Sequence, residues 1–222
     1  MVDIVRELEA VQREVGSGRL AAGEARTIRL RRTYDAPIDE VWDALTNAER
    51  ISRWFLPISG DLHVGGRYQL VGNAGGEILA CEPPNRFRVT WVYGEAADPA
   101  STSEVEVRLA PADEGSTTLE LEHIAIVPEE FWTQFGPGAV GVGWDGGLLG
   151  LSLHLQAVSM GQDVSIGDPV AWQMSAEGRE FNTRSSKAWG AAHLAAGADP
   201  EAAATAVANT TEFYAPDPGA PS

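Results

Sequence analysis

The stretch Ala36-Pro37-Ile38-Asp39-Glu40-Val41-Trp42-Asp43-Ala44-Leu45 decides the fold of this chain. Its apolar residues recur at helical spacing, and Pro37 suits the first turn of a helix. A strand-like run precedes it, and a second short helix, capped by Asn47, is predicted to continue to about Trp54. This order, followed by further strands, predicts a curved antiparallel sheet wrapped around a long late helix.

About six runs of alternating apolar and polar residues predict the strands of this α+β fold. They cover residues 27–34, 66–71, 77–81, 86–93, 101–109 and 117–126. The run 86–93 is the clearest, because its apolar residues Phe87, Val89, Trp91 and Tyr93 share one face. Closely spaced turn signals separate the runs, so we predict an antiparallel meander.

The late helix is predicted over residues 138–160, where Trp144, Leu148, Leu151, Leu155 and Val158 fall on one stripe. The same segment is rich in glycine, at positions 138, 141, 143, 146, 147 and 150. Each interior glycine costs a helix about 1 kcal/mol relative to alanine, so a compensation is expected. Two remain open: close approach of another helix or of backbone, and space left for a ligand.

The chain divides into three parts. Residues 1–25 are predicted as a helical arm, because Ile4, Leu8, Val11 and Val15 recur at helical spacing. Residues 26–160 form the central domain, and residues 161–222 form a helical extension with a disordered tail. The arm is interpreted as packing on the domain or on a second copy of the chain, which leaves a homodimer open as a partner.

Composition excludes several classes of function. The chain has 222 residues and a net charge of -16, so a nucleic-acid or anionic-membrane partner is not expected. No long apolar segment suggests a signal peptide or a membrane span, and we expect a cytoplasmic protein. The single cysteine, Cys81, excludes an internal disulfide and is expected to be a small buried hydrophobe. The histidines lack metal-ligand spacing, and we expect neither a metal nor a cofactor.

Several short motifs resemble one known family. They are Ala36-Pro37 with Val41-Trp42, Arg53-Trp54-Phe55, Gly65-Gly66-Arg67-Tyr68, Glu82-Pro83-Pro84 and Gly143-Trp144. In this order, from about residue 27 to 156, they are similar to the bacterial branch of the heat-shock protein 90 ATPase activator homologue-like family, within the START-like helix-grip superfamily (SRPBCC). The resemblance implies a helix-grip fold that binds small apolar molecules between sheet and helix. It implies no chaperone role, since no segment here matches the chaperone-binding domain of the eukaryotic activators.

The ligand-binding candidates are aromatic or apolar residues on the predicted inner face of the sheet and on the late helix, a composition common in small-molecule sites. They are Trp54, Phe55, Phe87, Val89, Trp91, Tyr93, Val107, Leu121, His123, Trp144, Leu148 and Leu151. Each aromatic residue among them fits an ordinary core equally well.

His123 is the one weak candidate for catalysis. It follows Leu119 and Leu121 at period two, so it is expected on their face. There it either orients a polar ligand group or acts as an acid or base, or else it is simply bonded to a backbone carbonyl or a hydroxyl. Glu120 and Glu122 are expected on the opposite, solvated face.

Three functions follow from these observations. The leading hypothesis is binding of a small hydrophobic or aromatic ligand in an interior cavity, without turnover. The second is an enzyme of lyase or cyclase type that uses His123. The third is a protein-interaction or co-chaperone-like module that uses acidic faces.

Overall fold

The computed structural model describes residues 3–94, 103–162 and 169–216 of the chain, and the tail predicted from Pro216 lies outside them except for its first residue. The strands of the described part are β1 (Gln12–Leu20), β2 (Gly23–Tyr34), β3 (Ile58–Gly60), β4 (Arg67–Leu70), β5 (Gly75–Glu82), β6 (Arg86–Thr90), β7 (Ser103–Pro111) and β8 (Thr117–Ala125). The helices are α1 (Ile4–Glu9), α2 (Ile38–Thr46), α3 (Ala48–Trp54), α4 (Glu129–Phe135), α5 (Gly138–Ser159), α6 (Pro169–Met174), α7 (Ala176–Ala195) and α8 (Pro200–Tyr214).

The strands form one curved, open antiparallel sheet in the order β1-β2-β8-β7-β6-β5-β4-β3. β8 lies between β2 and β7, which brings Ile28 and Val105 to either side of His123. The predicted α+β helix-grip fold is confirmed, with eight strands in place of about six.

The predicted helix pair is present between β2 and β3. Asn47 caps α3, because its side chain accepts hydrogen bonds from the backbone amides of Glu49 and Arg50. Trp54, at the end of α3, donates its indole N–H to the carbonyl of Ala44 over 2.9 Å. That bond ties the two short helices together and fixes the indole of Trp54 beneath the sheet.

The helical prediction for the N-terminal arm is wrong beyond residue 9, because residues 12–20 form an edge strand paired with β2. Val11 and Val15 are four residues apart, a spacing that fits one helical turn and also one face of a strand. The segment is a strand because it pairs with β2 along its whole length, and Arg13, on the same side as Val11 and Val15, adds a contact with the buried Asp145 of α5. The short edge strand β3 and the helix α4 lie in segments for which no element is predicted.

The concave face of the sheet, α2, α3 and α5 enclose one hydrophobic core. The predicted inner residues of β2, Ile28 and Leu30, are 3% and 0% exposed. Trp189 of α7 is also fully buried in this core, so the C-terminal helices pack directly on α5. Burial of large side chains of this kind stabilises a fold by about 1.5–3 kcal/mol each.

A buried polar cluster connects β1, α5 and α7. Asp145 accepts hydrogen bonds from Arg13 at 3.0 Å, from the Ser185 hydroxyl and from the Trp189 indole at 3.1 Å. Burial raises the pKa of Asp145, while Arg13 and the two neutral donors favour the charged form. These bonds hold α5 in place against both the edge strand and the C-terminal helices.

Among the helices of the described residues, none is long and apolar enough to cross a membrane.

Candidate ligand-binding site

An apolar cavity of about 180 Å³ lies between the sheet and α5. Its wall comes from the inner faces of the central strands, the α2–α3 pair and one side of α5. Most of the predicted binding residues line it: Trp54, Phe55, Phe87, Val89, Trp91, Val107, Leu121, Trp144, Leu148 and Leu151. The structure therefore brings together, around one space, residues that are nearly 100 positions apart in the chain.

The cavity has an exposed edge formed by Leu62, His63 and Cys81. Cys81 is exposed, and the expectation of a buried cysteine is wrong. Its position near the end of β5 leaves one side of the thiol in solvent although the other side borders the cavity. Leu62 and His63 follow β3 in a loop, and a loop has no periodic pattern from which an inward-facing residue can be predicted.

Other lining residues were missed although a signal was present. Leu119 and Val105 stand at period two from Leu121 and Val107, so the alternation of β8 and β7 places them on the same inner face. Tyr68 is also part of the wall; it donates its hydroxyl to the carbonyl of Thr90 over 2.8 Å, which leaves its ring toward the cavity.

A larger groove of about 750 Å³ runs along another face of α5. α6 and α7 contribute Trp172 and Glu177 to it, and Tyr93 and His123, the two remaining predicted residues, line it as well. Tyr93 is 62% exposed and lies just beyond the end of β6. The sequence-predicted residues thus fall into two adjoining spaces.

Three aromatic side chains in contact, Phe55, Trp144 and Trp91, lie between the cavity and the groove. The rings of Phe55 and Trp144 lie nearly parallel at 13°, with centroids 6.3 Å apart. The rings of Trp91 and Trp144 are 4.9 Å apart. All three residues line both spaces, so a ligand in either one would contact this aromatic wall.

His123 is bonded through one ring nitrogen only. The Trp144 indole donates to Nδ1 over 3.1 Å, so Nδ1 is the acceptor and the proton of the neutral ring is on Nε2. His123 is 5% exposed, and Nε2 has no hydrogen-bond partner in the described part of the chain. Burial lowers the pKa of His123 to about 4, so at neutral pH the ring offers an N–H donor and carries no charge. The partner is an indole, rather than the carbonyl or hydroxyl expected from the sequence.

The glycines of α5 differ in their surroundings: some lie against another helix, and one faces open space. A Cβ on Gly141 would lie 2.2 Å from the Trp189 ring, and a Cβ on Gly138 would lie 2.9 Å from Thr210, so these glycines permit close helix packing. Further along, a Cβ on Gly146 would meet nothing within 4 Å, and Gly146 lines the groove. Glycines in the first turns of α5 thus permit close packing, whereas Gly146 borders open space and a Cβ on Gly147 would contact Phe55 at 3.5 Å.

The carboxylates of β8 lie on the outer face of the sheet. Glu120 and Glu122 form ion pairs with Arg108 and Arg29, away from the cavity. Within residues 3–94, 103–162 and 169–216, no group of three histidine, cysteine or acidic side chains is arranged to hold a metal ion.

Residues 35–152 match the family model described as Activator of Hsp90 ATPase homolog 1-like protein. A search of curated proteins finds no match. Among solved structures, the chain is similar to CalU16 from Micromonospora echinospora. The crystal structure of CalU16 is 37% identical, with a TM-score of 0.62 over 82% of this chain and 98% of CalU16. Its solution structure is 38% identical, with a TM-score of 0.67 over 84% of this chain and 97% of CalU16.

Protein MLL2253 from Mesorhizobium loti is 27% identical, with a TM-score of 0.52 over 59% of this chain and 97% of its own. The likeness to MLL2253 covers a smaller share of the chain than the likeness to CalU16.

Proposed function

The chain belongs to the Activator of Hsp90 ATPase homolog 1-like family, and on that premise we propose that it binds a small apolar, aromatic molecule in the cavity between its sheet and α5. The observation that carries this proposal is a ready-formed space of about 180 Å³ with an almost wholly apolar wall. Engineered protein cavities of about 150 Å³ stay dry and bind benzene. The space therefore matches a ligand of one aromatic ring.

The wall supports selection of aromatic ligands over aliphatic ones. Trp91 and Trp144 line the cavity, and aromatic pairs add about 0.5–1.5 kcal/mol beyond the burial of area. The exposed edge at Leu62 and Cys81 supplies an entry route.

Thermal unfolding in the presence of toluene and of hexane tests this proposal. Toluene is expected to raise the melting temperature of the wild type more than hexane does, because a ligand that binds only the folded state stabilises it. Val107→Phe fills the cavity from β7 and is expected to abolish the shift. Val158→Phe, at an exposed position of α5 that is 42% accessible, is the matched control and should keep it. A melting temperature of the wild type that toluene does not change would refute the proposal.

A homodimer is a second proposal, favoured by one observation on the surface. Phe131 and Phe135 of α4 and Phe213 of α8 form a cluster with centroid distances of 5.1 and 6.0 Å. Phe131 is 45% exposed and Phe213 is 68% exposed, and exposed apolar clusters of this kind mark interaction sites. Light scattering should give twice the chain mass for the wild type and the single mass for Phe213→Glu. A monomeric wild type would contradict this proposal.

A further inference from the structure

We propose that the groove along α5 is a second binding site, for an elongated, neutral, apolar molecule whose carbonyl oxygen accepts a hydrogen bond from Nε2 of His123. This site is distinct from the apolar cavity and does not depend on the cavity being occupied. The groove has a volume of about 750 Å³, within the range typical of small-molecule sites, roughly 300–1,000 Å³.

The shape of the groove sets the shape of the ligand. Its α5 residues run from Ala139 to Ala157, which corresponds to about 27 Å of helix. Gly143, Gly146 and Gly150 recur along this face, so stretches of bare helix backbone alternate there with side chains such as Leu149 and Leu153. Such a face admits a flat molecule of several rings, which is too long for the apolar cavity.

The polar groups of the groove set the chemistry of the ligand. The Tyr214 hydroxyl donates to the carbonyl of Ala139, and the Asn182 amide donates to the carbonyl of Tyr214. Nε2 of His123, by contrast, has no partner among the described residues, and it is closed off from solvent, so a ligand reaches it only by displacing the side chains that cover it. A buried donor left unpaired is costly, so a ligand acceptor that reaches it gains affinity.

Charge excludes an anionic ligand. Glu177 lines the groove, and the chain as a whole carries a net charge of -16. A carboxylate or phosphate would be repelled by both. A carbonyl supplies the acceptor without the charge, and therefore fits the groove better than an acid does.

Flavanone and flavan provide a matched pair of probes, because they share one three-ring skeleton and differ only in the carbonyl. Calorimetric titration is expected to show flavanone binding the wild type roughly tenfold more tightly than flavan, the size of one hydrogen bond. In His123→Phe this preference is expected to vanish. A preference that survives in His123→Phe, or equal binding of the two probes to the wild type, would overturn the assignment.

A second variant tests the location without touching His123. Gly146→Leu places a side chain in the open space of the groove and is expected to weaken both probes at least tenfold. Val158→Leu, on the same helix but outside the groove, should bind them as the wild type does. Unchanged binding in Gly146→Leu would place the site elsewhere.

These results separate the two proposals. Gly146 does not line the apolar cavity, so the toluene-induced shift in melting temperature should persist in Gly146→Leu. Loss of flavanone binding with the toluene response intact supports a distinct groove site. If toluene fails to bind while flavanone binds in the groove, the proposal for the cavity is refuted and the proposal for the groove is supported.

If His123→Phe does not fold, nitrogen-15 spectra of the wild-type imidazole give the same information. Flavanone should shift the Nε2–H proton signal downfield, and flavan should leave it in place. An unmoved signal at saturating flavanone would refute the hydrogen bond.

Discussion

The backbone of Gly141 lies directly against the indole of Trp189: a Cβ on Gly141 would be 2.2 Å from Cε2 of that ring. Trp189 is fully buried and bonded to Asp145, so it has no room to move aside. Gly141 is therefore required by packing between α5 and α7. Gly146, five residues on, faces open space.

The two glycines predict opposite effects of alanine. Gly141→Ala is expected to lower the free energy of unfolding by roughly 1–3 kcal/mol, as overpacked cores do. Gly146→Ala is expected to raise it by up to about 1 kcal/mol, because alanine is the better helix former and its methyl meets nothing. Urea unfolding of both variants measures the difference. A stabilised Gly141→Ala would show that α7 does not pack on α5 as described.

The buried ion pair between Arg13 and Asp145 predicts a large loss of stability on removal of one partner. Their side chains are 8% and 0% exposed. Asp145→Asn leaves the guanidinium buried without a counter-charge and is expected to cost roughly 3–5 kcal/mol by urea unfolding. Glu180→Gln breaks the exposed pair with Arg184 and should cost at most about 1 kcal/mol. Equal effects of the two substitutions would contradict the buried pair.

His123 predicts a pH dependence of stability. Burial lowers its pKa to about 4 in the folded protein, whereas in the unfolded chain it is near the ordinary value of 6.5. Between these values the unfolded state binds more protons, so the free energy of unfolding falls as the pH decreases from 6.5 to 4. The full effect is roughly 3 kcal/mol and levels off below pH 4, where the folded state is protonated too.

Urea unfolding at pH 7 and pH 4.5 of the wild type and of His123→Phe isolates this contribution. Other groups titrate in both proteins, among them His193, whose pKa burial also lowers. The wild type should lose more stability than the variant over this interval. Parallel pH profiles would show that His123 is not held neutral by burial.

Cys81 provides a specific reporter for the apolar cavity, because it is the single cysteine of the chain and borders that cavity but not the groove. Toluene at ten times its Kd should slow the reaction of the thiol with a disulfide reagent by at most roughly tenfold, because the solvent-facing side of the thiol stays exposed when the cavity is filled. Flavanone in the groove should leave the rate unchanged. Protection by both probes would mean that cavity and groove behave as one site.

Much of the fold could be predicted because the spacing of apolar residues along the chain indicates which face of each strand or helix is buried. The alternation of Ile28, Leu30 and Arg32 gave the buried face of β2, and the stripe of Leu148, Leu151 and Leu155 gave the inner face of α5. Strand β1 could not be assigned in this way, because Val11 and Val15 fit both periods. Its state depends on pairing with β2 and on contacts such as the hydrogen bond between Arg13 and Asp145, which are 132 positions apart.

The candidate site likewise has a part that the sequence predicts, the cavity, and a part that it does not, the groove. The apolar residues of the cavity follow from alternation on the strands, but the groove does not, because it is made by the approach of α6 and α7 to the glycine face of α5. The sequence also does not predict that Nδ1 of His123 accepts a hydrogen bond from Trp144, since Trp144 is 21 positions away and on another element.

The sequence by itself determined the class of fold, the inner face of the sheet and the long glycine-rich helix, because each depends on spacings of two to four residues. Only the tertiary structure decided which glycines serve packing and which leave space, which nitrogen of His123 is free, and how Phe55, Trp91 and Trp144 divide one interior into two. Those features depend on side chains far apart in the chain, whose distances are set by packing and leave no mark on the local pattern of residues.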